Sequence, residues 1–180
     1  MMQKQFLTQK ILLIAFIAMV LLAFIYALTF MTEYQNLFGL HLPLNKDVSA
    51  FHDVALQSFN RTILAWALGG IGLIALAFAL ETFSTLPDRF ALFMMLIGLA
   101  VLTYGCISNL QAIPPLEETY RNMDITYLEL EGLSDYQLNF FPFNIGKAIY
   151  ILHIVVNVCL GIALVLSHLY GLREKKEALA

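Results

Sequence analysis

Four long apolar runs decide what this chain can fold into. They cover about 20 residues each, at 11–31, 62–80, 90–108 and 148–172. A helix of about 20 residues, rising about 1.5 Å per residue, crosses the roughly 30 Å hydrocarbon layer of a membrane. Hydrophobic residues fill 60% of the 180 positions and charged residues only 13%, against about a quarter in soluble proteins. We predict an all-α integral membrane protein, one domain built as a four-transmembrane-helix bundle.

Basic residues are distributed unevenly around these spans. The N-terminal segment 1–10, the turn 81–89 and the tail 173–180 hold six Lys and Arg in 27 positions, whereas 32–61 and 109–147 hold four in 69. Lys and Arg concentrate in short cytoplasmic segments. We therefore expect both termini in the cytoplasm and two outer loops, in a multi-pass protein of the bacterial cytoplasmic membrane. The first run is too long for a signal peptide and lacks a cleavage motif, so we predict an uncleaved first span.

Both outer loops carry helical patterns. Beyond Asp47, a candidate N-cap, Phe51 and Ala55 keep helical spacing towards the second span. In the second loop, Pro115 indicates the start of a helix and Gly132 its end. Between them the apolar residues follow the 4-3-4-3 spacing typical of an amphipathic helix, at Leu116, Tyr120, Met123, Tyr127 and Leu130. The sequence thus predicts amphipathic helical segments in both outer loops.

The last span is distinguished by polar side chains. Tyr150, His153 and Asn157 recur at i, i+3 and i+7, which places them on one face of a helix. Because ionisable and amide groups are costly in hydrocarbon, we expect this face to be turned towards protein or water. The aromatic segment 140–143 that precedes it is too short to span, and we expect it to rest at the membrane interface.

Depth along the spans allows two interpretations of the outer third of the bundle, of which one is a shallow outward-facing pocket roofed by the two loops. Tyr104 and His153 lie about four and five residues from the outer ends of their spans, which is a shared depth of roughly 6–8 Å. The candidate pocket residues are Trp66, Thr103, Tyr104, Tyr150, His153 and Asn157. The alternative is a packed interior in which His153 bonds a neighbouring helix and the tyrosines belong to the interfacial aromatic belt.

Small residues and cysteines give two further expectations. Ala65 and Gly69 have the small-xxx-small spacing of close helix contacts, either within the chain or between copies of it. Cys106 and Cys159 differ by roughly 13 Å in predicted depth, whereas a disulfide needs Cα atoms within about 7 Å. We expect two free thiols.

Several classes of function are excluded by what the sequence lacks. A net charge of −3 without a basic cluster excludes nucleic acid as a partner. We predict no metal and no cofactor, because His41, His52 and His153 have no ligand spacing. The glycines at 69–72 lie inside a span and not after a strand, so they are not a phosphate loop. No nucleophile with a base and no catalytic carboxylate pair is recognisable, which favours a non-enzyme.

Two functions remain. The first is a non-catalytic accessory or interaction subunit of a membrane complex, bound through its outer loops to a membrane-protein partner or to a second copy of the chain. Its candidate interaction surface is the apolar seam of Phe51, Leu116, Tyr120, Met123 and Tyr127. The alternative is a small-molecule or lipid-binding or transport protein that uses the outer pocket. An apolar seam must be covered, and the chain's own outer extension of the second span is the self-contained way to cover it.

Overall fold

A computed structural model describes residues 2–32, 51–83, 88–123 and 140–177, and these ranges contain four long helices and no strand. The helices are α1 (Met2–Thr32), α2 (Gln57–Phe83), α3 (Asp88–Arg121) and α4 (Phe141–Glu177). Their stretches long and apolar enough to cross a membrane are Leu7–Leu28, Val54–Leu80, Arg89–Arg121 and Phe141–Gly171. The predicted all-α fold, with four helices long and apolar enough to span a membrane, is confirmed for the described residues.

The four helices pack as a ring in which neighbours are antiparallel. Helix α1 contacts α2 and α4, and α3 contacts the same two helices. An outer cluster of buried side chains joins the last turns of α1 and α3 to the first turns of α2 and α4, with members such as Ala27, Ile63, Ile113 and Phe143. An inner cluster is built around Phe16, Val20, Leu73, Leu99, Leu102 and Leu160. We call the end of the bundle that holds the first cluster the outer end, following the sequence prediction.

The outside of the bundle is apolar, as a lipid-facing surface requires. Large hydrophobic side chains such as Ile14, Phe93 and Leu152 are more than half exposed. Among the small residues of α2, Ala65, Gly69 and Gly72 also face outward, and a Cβ added to either glycine would meet nothing within 4 Å. Helix α1 packs closely on α2 at Gly70, because a Cβ added there would lie 3.1 Å from a methyl group of Val20.

Helix α3 is longer than the sequence pattern indicated. It continues through Pro114 and Pro115 to Arg121, so that no separate helix starts at Pro115. Each proline removes one backbone hydrogen bond from a helix interior. The extension nevertheless buries Leu116 and Tyr120 in the outer cluster, and this burial offsets the loss.

Helix α4 begins at Phe141, seven residues before the predicted span, with Pro142 in its first turn. A proline is tolerated there because the first backbone N–H groups of a helix have no partner within it. Phe143 is fully buried, so the segment 140–143 is part of the packed bundle as well as of its outer edge. A π-helical turn, Phe51–Leu56, similarly extends α2 outward.

Some of the predicted loop features lie outside the described residues. These are Asp47, His41, Tyr127, Leu130 and Gly132, and the amphipathic segments to which they belong stay predictions, as does the cytoplasmic location of the termini.

Candidate functional site

The polar face of α4 is turned into the bundle. Tyr150, His153 and Asn157 are each no more than 2% exposed. The ring of His153 lies 6.2 Å from that of Phe16 on α1, measured between centroids. The three side chains therefore occupy one continuous strip of the interior rather than the lipid-facing surface.

Helix α3 places polar groups against this strip. Asn157 Nδ2 donates a hydrogen bond of 3.3 Å to Thr103 Oγ1, which in turn donates one of 2.7 Å to the carbonyl of Leu99. Nearer the outer end, Cys106 and Asn109 lie beside the Tyr150 side chain, and the Asn109 amide is close enough to the Tyr150 hydroxyl for a weak hydrogen bond. Because α3 and α4 are antiparallel, their polar side chains run side by side towards the outer end of the bundle. The order on α3 is Thr103, Cys106 and Asn109. The order on α4 is Asn157, His153 and Tyr150.

Helix α1 contributes Tyr26 at the level of Tyr150. The two rings meet edge to face, with centroids 6.1 Å apart and planes at 83°. The Tyr26 hydroxyl donates a buried hydrogen bond of 3.2 Å to the carbonyl oxygen of Pro142. A Cβ on Gly146 would lie only 2.3 Å from this hydroxyl, so the glycine is what lets Tyr26 reach across α4.

Helix α2 contributes Asn60, which is completely buried. Its level follows from the contact between Trp66 and Tyr104, whose ring centroids are 6.2 Å apart. Asn60 lies six residues closer to the outer end than Trp66, a rise of about 9 Å along α2. Asn109 lies five residues closer to the outer end than Tyr104, a rise of about 7.5 Å along α3. Asn60 and Asn109 therefore lie at nearly the same height in the bundle.

These interior groups form what we call the polar column, made of Asn60, Asn109, Tyr150, His153 and Asn157. Among the residues that the structure describes, seven of its side-chain atoms are buried without a hydrogen bond of ordinary geometry. They are both amide atoms of Asn60, Oδ1 of Asn109, Oη of Tyr150, both ring nitrogens of His153 and Oδ1 of Asn157. An unmet buried hydrogen bond costs about 1–3 kcal/mol. Such a concentration calls for an explanation, and it marks the column as the candidate site.

Four of the six predicted pocket residues come together here, namely Thr103, Tyr150, His153 and Asn157. The other two do not join them: Tyr104 is 66% exposed, and Trp66 is half-buried beside it on the outer surface of α2 and α3. Asn60 and Asn109 were not predicted, because both fell in segments assigned to outer loops. The spacing of three between Thr103, Cys106 and Asn109 is the signal that indicates a shared helical face.

The predicted interaction surface is covered by the chain itself. Phe51, Leu116, Tyr120 and Met123 are all less than 10% exposed, and Tyr127 lies outside the described residues. The Tyr120 ring has centroid distances of 5.4 to 5.6 Å to the rings of Phe51, Phe140 and Phe143. The extension of α2 and the start of α4 thus bury the seam in the outer cluster.

An apolar groove adjoins the polar column on the lipid side. It lies between α1 and α4 near the outer end and has a volume of about 310 Å³. Its walls include Leu22, Ile25 and Tyr26 of α1 and Phe141, Ile145 and Ile149 of α4. Tyr26 connects the two regions, because it lines the groove and its ring contacts Tyr150 of the column.

The side chains of the polar column can donate and accept hydrogen bonds. Its side chains are amides, a hydroxyl and an imidazole, and none is a carboxylate. Across the described residues, no three His, Cys, Asp or Glu side chains group closely enough to hold a metal ion, and Cys106 and Cys159 are free thiols.

Comparison with protein-family models, with curated proteins and with solved structures finds no match for this chain.

Proposed function

We propose that this chain is a non-catalytic four-span membrane protein that binds a small molecule or lipid at the polar column. The observation that carries the proposal is the unmet hydrogen bonding of Asn60, His153 and Asn157 inside a membrane bundle. Amide and imidazole groups are expensive at this depth and persist where they have a task. Tyr150 and Asn157 lie about 10 Å apart along α4, so a bound molecule would need more than one polar group to satisfy these atoms.

A purely structural role explains the column less well. Polar side chains that hold membrane helices together do so by hydrogen bonds across the helix interface. The bond from Asn157 to Thr103 is of this kind, but Oδ1 of the same amide and both nitrogens of His153 gain nothing from the packing. Apolar residues of similar size would fill the same space without the cost of desolvation.

The burial of the outer seam also favours binding over the accessory-subunit hypothesis. That hypothesis depends on Phe51, Leu116, Tyr120 and Met123 being free to meet a partner. All four are instead occupied by contacts within the chain. Association with a membrane-protein partner or a second copy through Tyr127 and the other outer-loop residues at 33–50 and 124–139 stays a prediction, because those residues lie outside the described ranges.

We further propose that both termini are cytoplasmic, in the bacterial cytoplasmic membrane. The distribution of Lys and Arg supports this orientation. It places the column in the half of the bilayer away from the cytoplasm, where a ligand would arrive from the outer leaflet or the outer surface.

The test is to purify the protein from membranes into lipid nanodiscs and identify the small molecules and lipids that remain bound, by mass spectrometry. We expect a compound present in near-stoichiometric amount with the wild type and lost in Asn157→Leu. The matched control is Val158→Leu, a neighbouring change at a residue that is 49% exposed on the lipid side. If the three proteins retain the same compounds in the same amounts, the column does not bind a ligand.

A further inference from the structure

The side chain of Tyr26 lies between the lipid-facing groove and Tyr150 of the polar column. Tyr26 forms part of the groove wall, and its ring meets Tyr150 edge to face. Its hydroxyl donates a hydrogen bond to the Pro142 carbonyl. Gly146 leaves the space that this arrangement requires. A molecule lying in the groove would therefore be one aromatic ring away from Tyr150, the outermost member of the column on α4.

The groove has the character of a site for a hydrocarbon chain. Leu22, Ile25 and Phe141 are 46, 57 and 66% exposed, so the groove opens sideways to the lipid. Its volume of about 310 Å³ corresponds to roughly ten groups of the size of a water molecule, at about 30 Å³ each. That is a segment of one chain and not a whole phospholipid.

The column contains no carboxylate and no Lys or Arg side chain. Its groups are amides, a hydroxyl and an imidazole enclosed by apolar side chains, where an ion would be costly. The cation closest along α4 is Lys147, and its ammonium group is already engaged by the carboxylate of Glu117 on α3. Glu117 also lies 3.5 Å from Arg121, so two cations share this carboxylate outside the column. A phosphate group inserted into the column would thus lose its water without gaining a Lys or Arg partner there.

We infer that the groove and the column together bind a lipid whose headgroup is uncharged and carries hydroxyl or carbonyl groups. The hydrocarbon chain lies along the groove, and the headgroup passes Tyr26 to reach the Tyr150 hydroxyl and the amide of Asn109. Displacement of the Tyr26 ring exchanges its bond to Pro142 for one to the headgroup. This inference rests on the proposed function, to which it adds the class of ligand and the route of entry.

The experiment uses two photoactivatable lipids in nanodiscs that contain the full-length protein. One is a diacylglycerol and the other a phosphatidic acid with the same diazirine-labelled acyl chains, so that they differ only in the phosphate. We expect diacylglycerol to label residues 22–26 and 141–149 roughly tenfold more than phosphatidic acid does, as a selective site would. Equal labelling by the two probes would show ordinary boundary lipid and overturn the inference.

Two substitutions test the groove and one tests the column. Ile145→Trp should fill the groove and abolish diacylglycerol labelling, whereas Ile162→Trp, at a lipid-exposed position outside the groove, should not. Leu22→Trp fills the groove from the α1 side and serves if Ile145→Trp does not give a monodisperse protein. Tyr150→Phe, which removes only a hydroxyl, should reduce labelling, and Tyr104→Phe on the outer surface is its control. Labelling that is unchanged in Tyr150→Phe and in both groove variants contradicts the assignment.

The outcomes separate this inference from the function on which it rests. If diacylglycerol shows no preference but a compound still depends on Asn157 in the purified protein, the column binds a different class of ligand and only the lipid assignment fails. If neither the extracted compounds nor the photoactivatable lipids depend on the column, both proposals fail.

Discussion

The indole ring of Trp66 occupies the space into which a side chain at position 105 would project. A Cβ added to Gly105 would lie 2.3 Å from two carbon atoms of that ring, far inside van der Waals contact. The same indole meets Tyr104 nearly edge to face. The contact between α2 and α3 at this level therefore depends on the absence of one methyl group.

Gly105→Ala should destabilise the protein for this reason. Overpacking a close contact costs about 1–3 kcal/mol, which corresponds to a fall of roughly 2–12 °C in melting temperature for a chain of this size. Gly72→Ala is the matched control, because its Cβ would meet nothing within 4 Å. The control should be neutral or stabilising by up to about 1 kcal/mol. Thermal unfolding in detergent measures both, and equal effects would contradict the observed contact.

The outer cluster should depend on Phe51. Phe51→Ala removes a side chain that is 2% exposed and lies against Tyr120, and we expect a loss of about 3–5 kcal/mol. Val54→Ala, at a residue of the same helical turn that is 70% exposed, should change the stability by less than about 0.5 kcal/mol. Unfolding in detergent is again the measurement. A stable Phe51→Ala protein that has lost a co-purifying partner would instead restore the seam as an interaction surface.

The polar column should reduce stability in the absence of a ligand. Asn157→Leu removes an amide with an unmet oxygen and leaves Thr103 bonded to the Leu99 carbonyl. We expect the free energy of unfolding to rise by about 1 kcal/mol in protein stripped of bound compounds, as is common where function opposes stability. Val158→Leu should produce no comparable increase. A loss of stability in Asn157→Leu would indicate that the amide is a structural contact between α3 and α4.

Topology can be tested with a membrane-impermeant thiol reagent on intact cells. In a background of Cys106→Ala and Cys159→Ala, we expect labelling of Lys46→Cys and Asp124→Cys from outside and of Lys175→Cys only after the cells are opened. The reason is the concentration of Lys and Arg in the segments predicted to be cytoplasmic. Labelling of Lys175→Cys in intact cells would reverse the orientation and move the column to the inner leaflet.

The number and approximate positions of the helices were predictable, because a run of about 20 apolar residues has few alternatives. The helix ends were harder to predict. Pro115 indicates a helix start in isolation, yet α3 passes through it because Leu116 and Tyr120 find apolar partners on α2 and α4. Those partners are distant in sequence, so local pattern does not reveal them.

The site was predictable in part. Spacing along one helix fixes which side chains share a face, and this is why Tyr150, His153 and Asn157 appear together in the interior. Depth alone does not give the direction in which a neighbouring helix is rotated, and Tyr104 consequently points outward although it has the expected height. Asn60 was missed because the sequence pattern placed it in the outer loop before the second span.

The outer cluster also constrains how the protein is made. It contains Phe59 from the second helix and Phe143 from the fourth, so it cannot close before the last helix has been synthesised. These residues are 84 positions apart, a delay of roughly 4–17 s at about 5–20 residues per second. During biogenesis the turn at Phe51–Leu56 must therefore be sheltered by the insertion machinery or by the membrane surface. Defects in α4 should accordingly expose the first loop to quality-control proteases while the first three helices are already inserted.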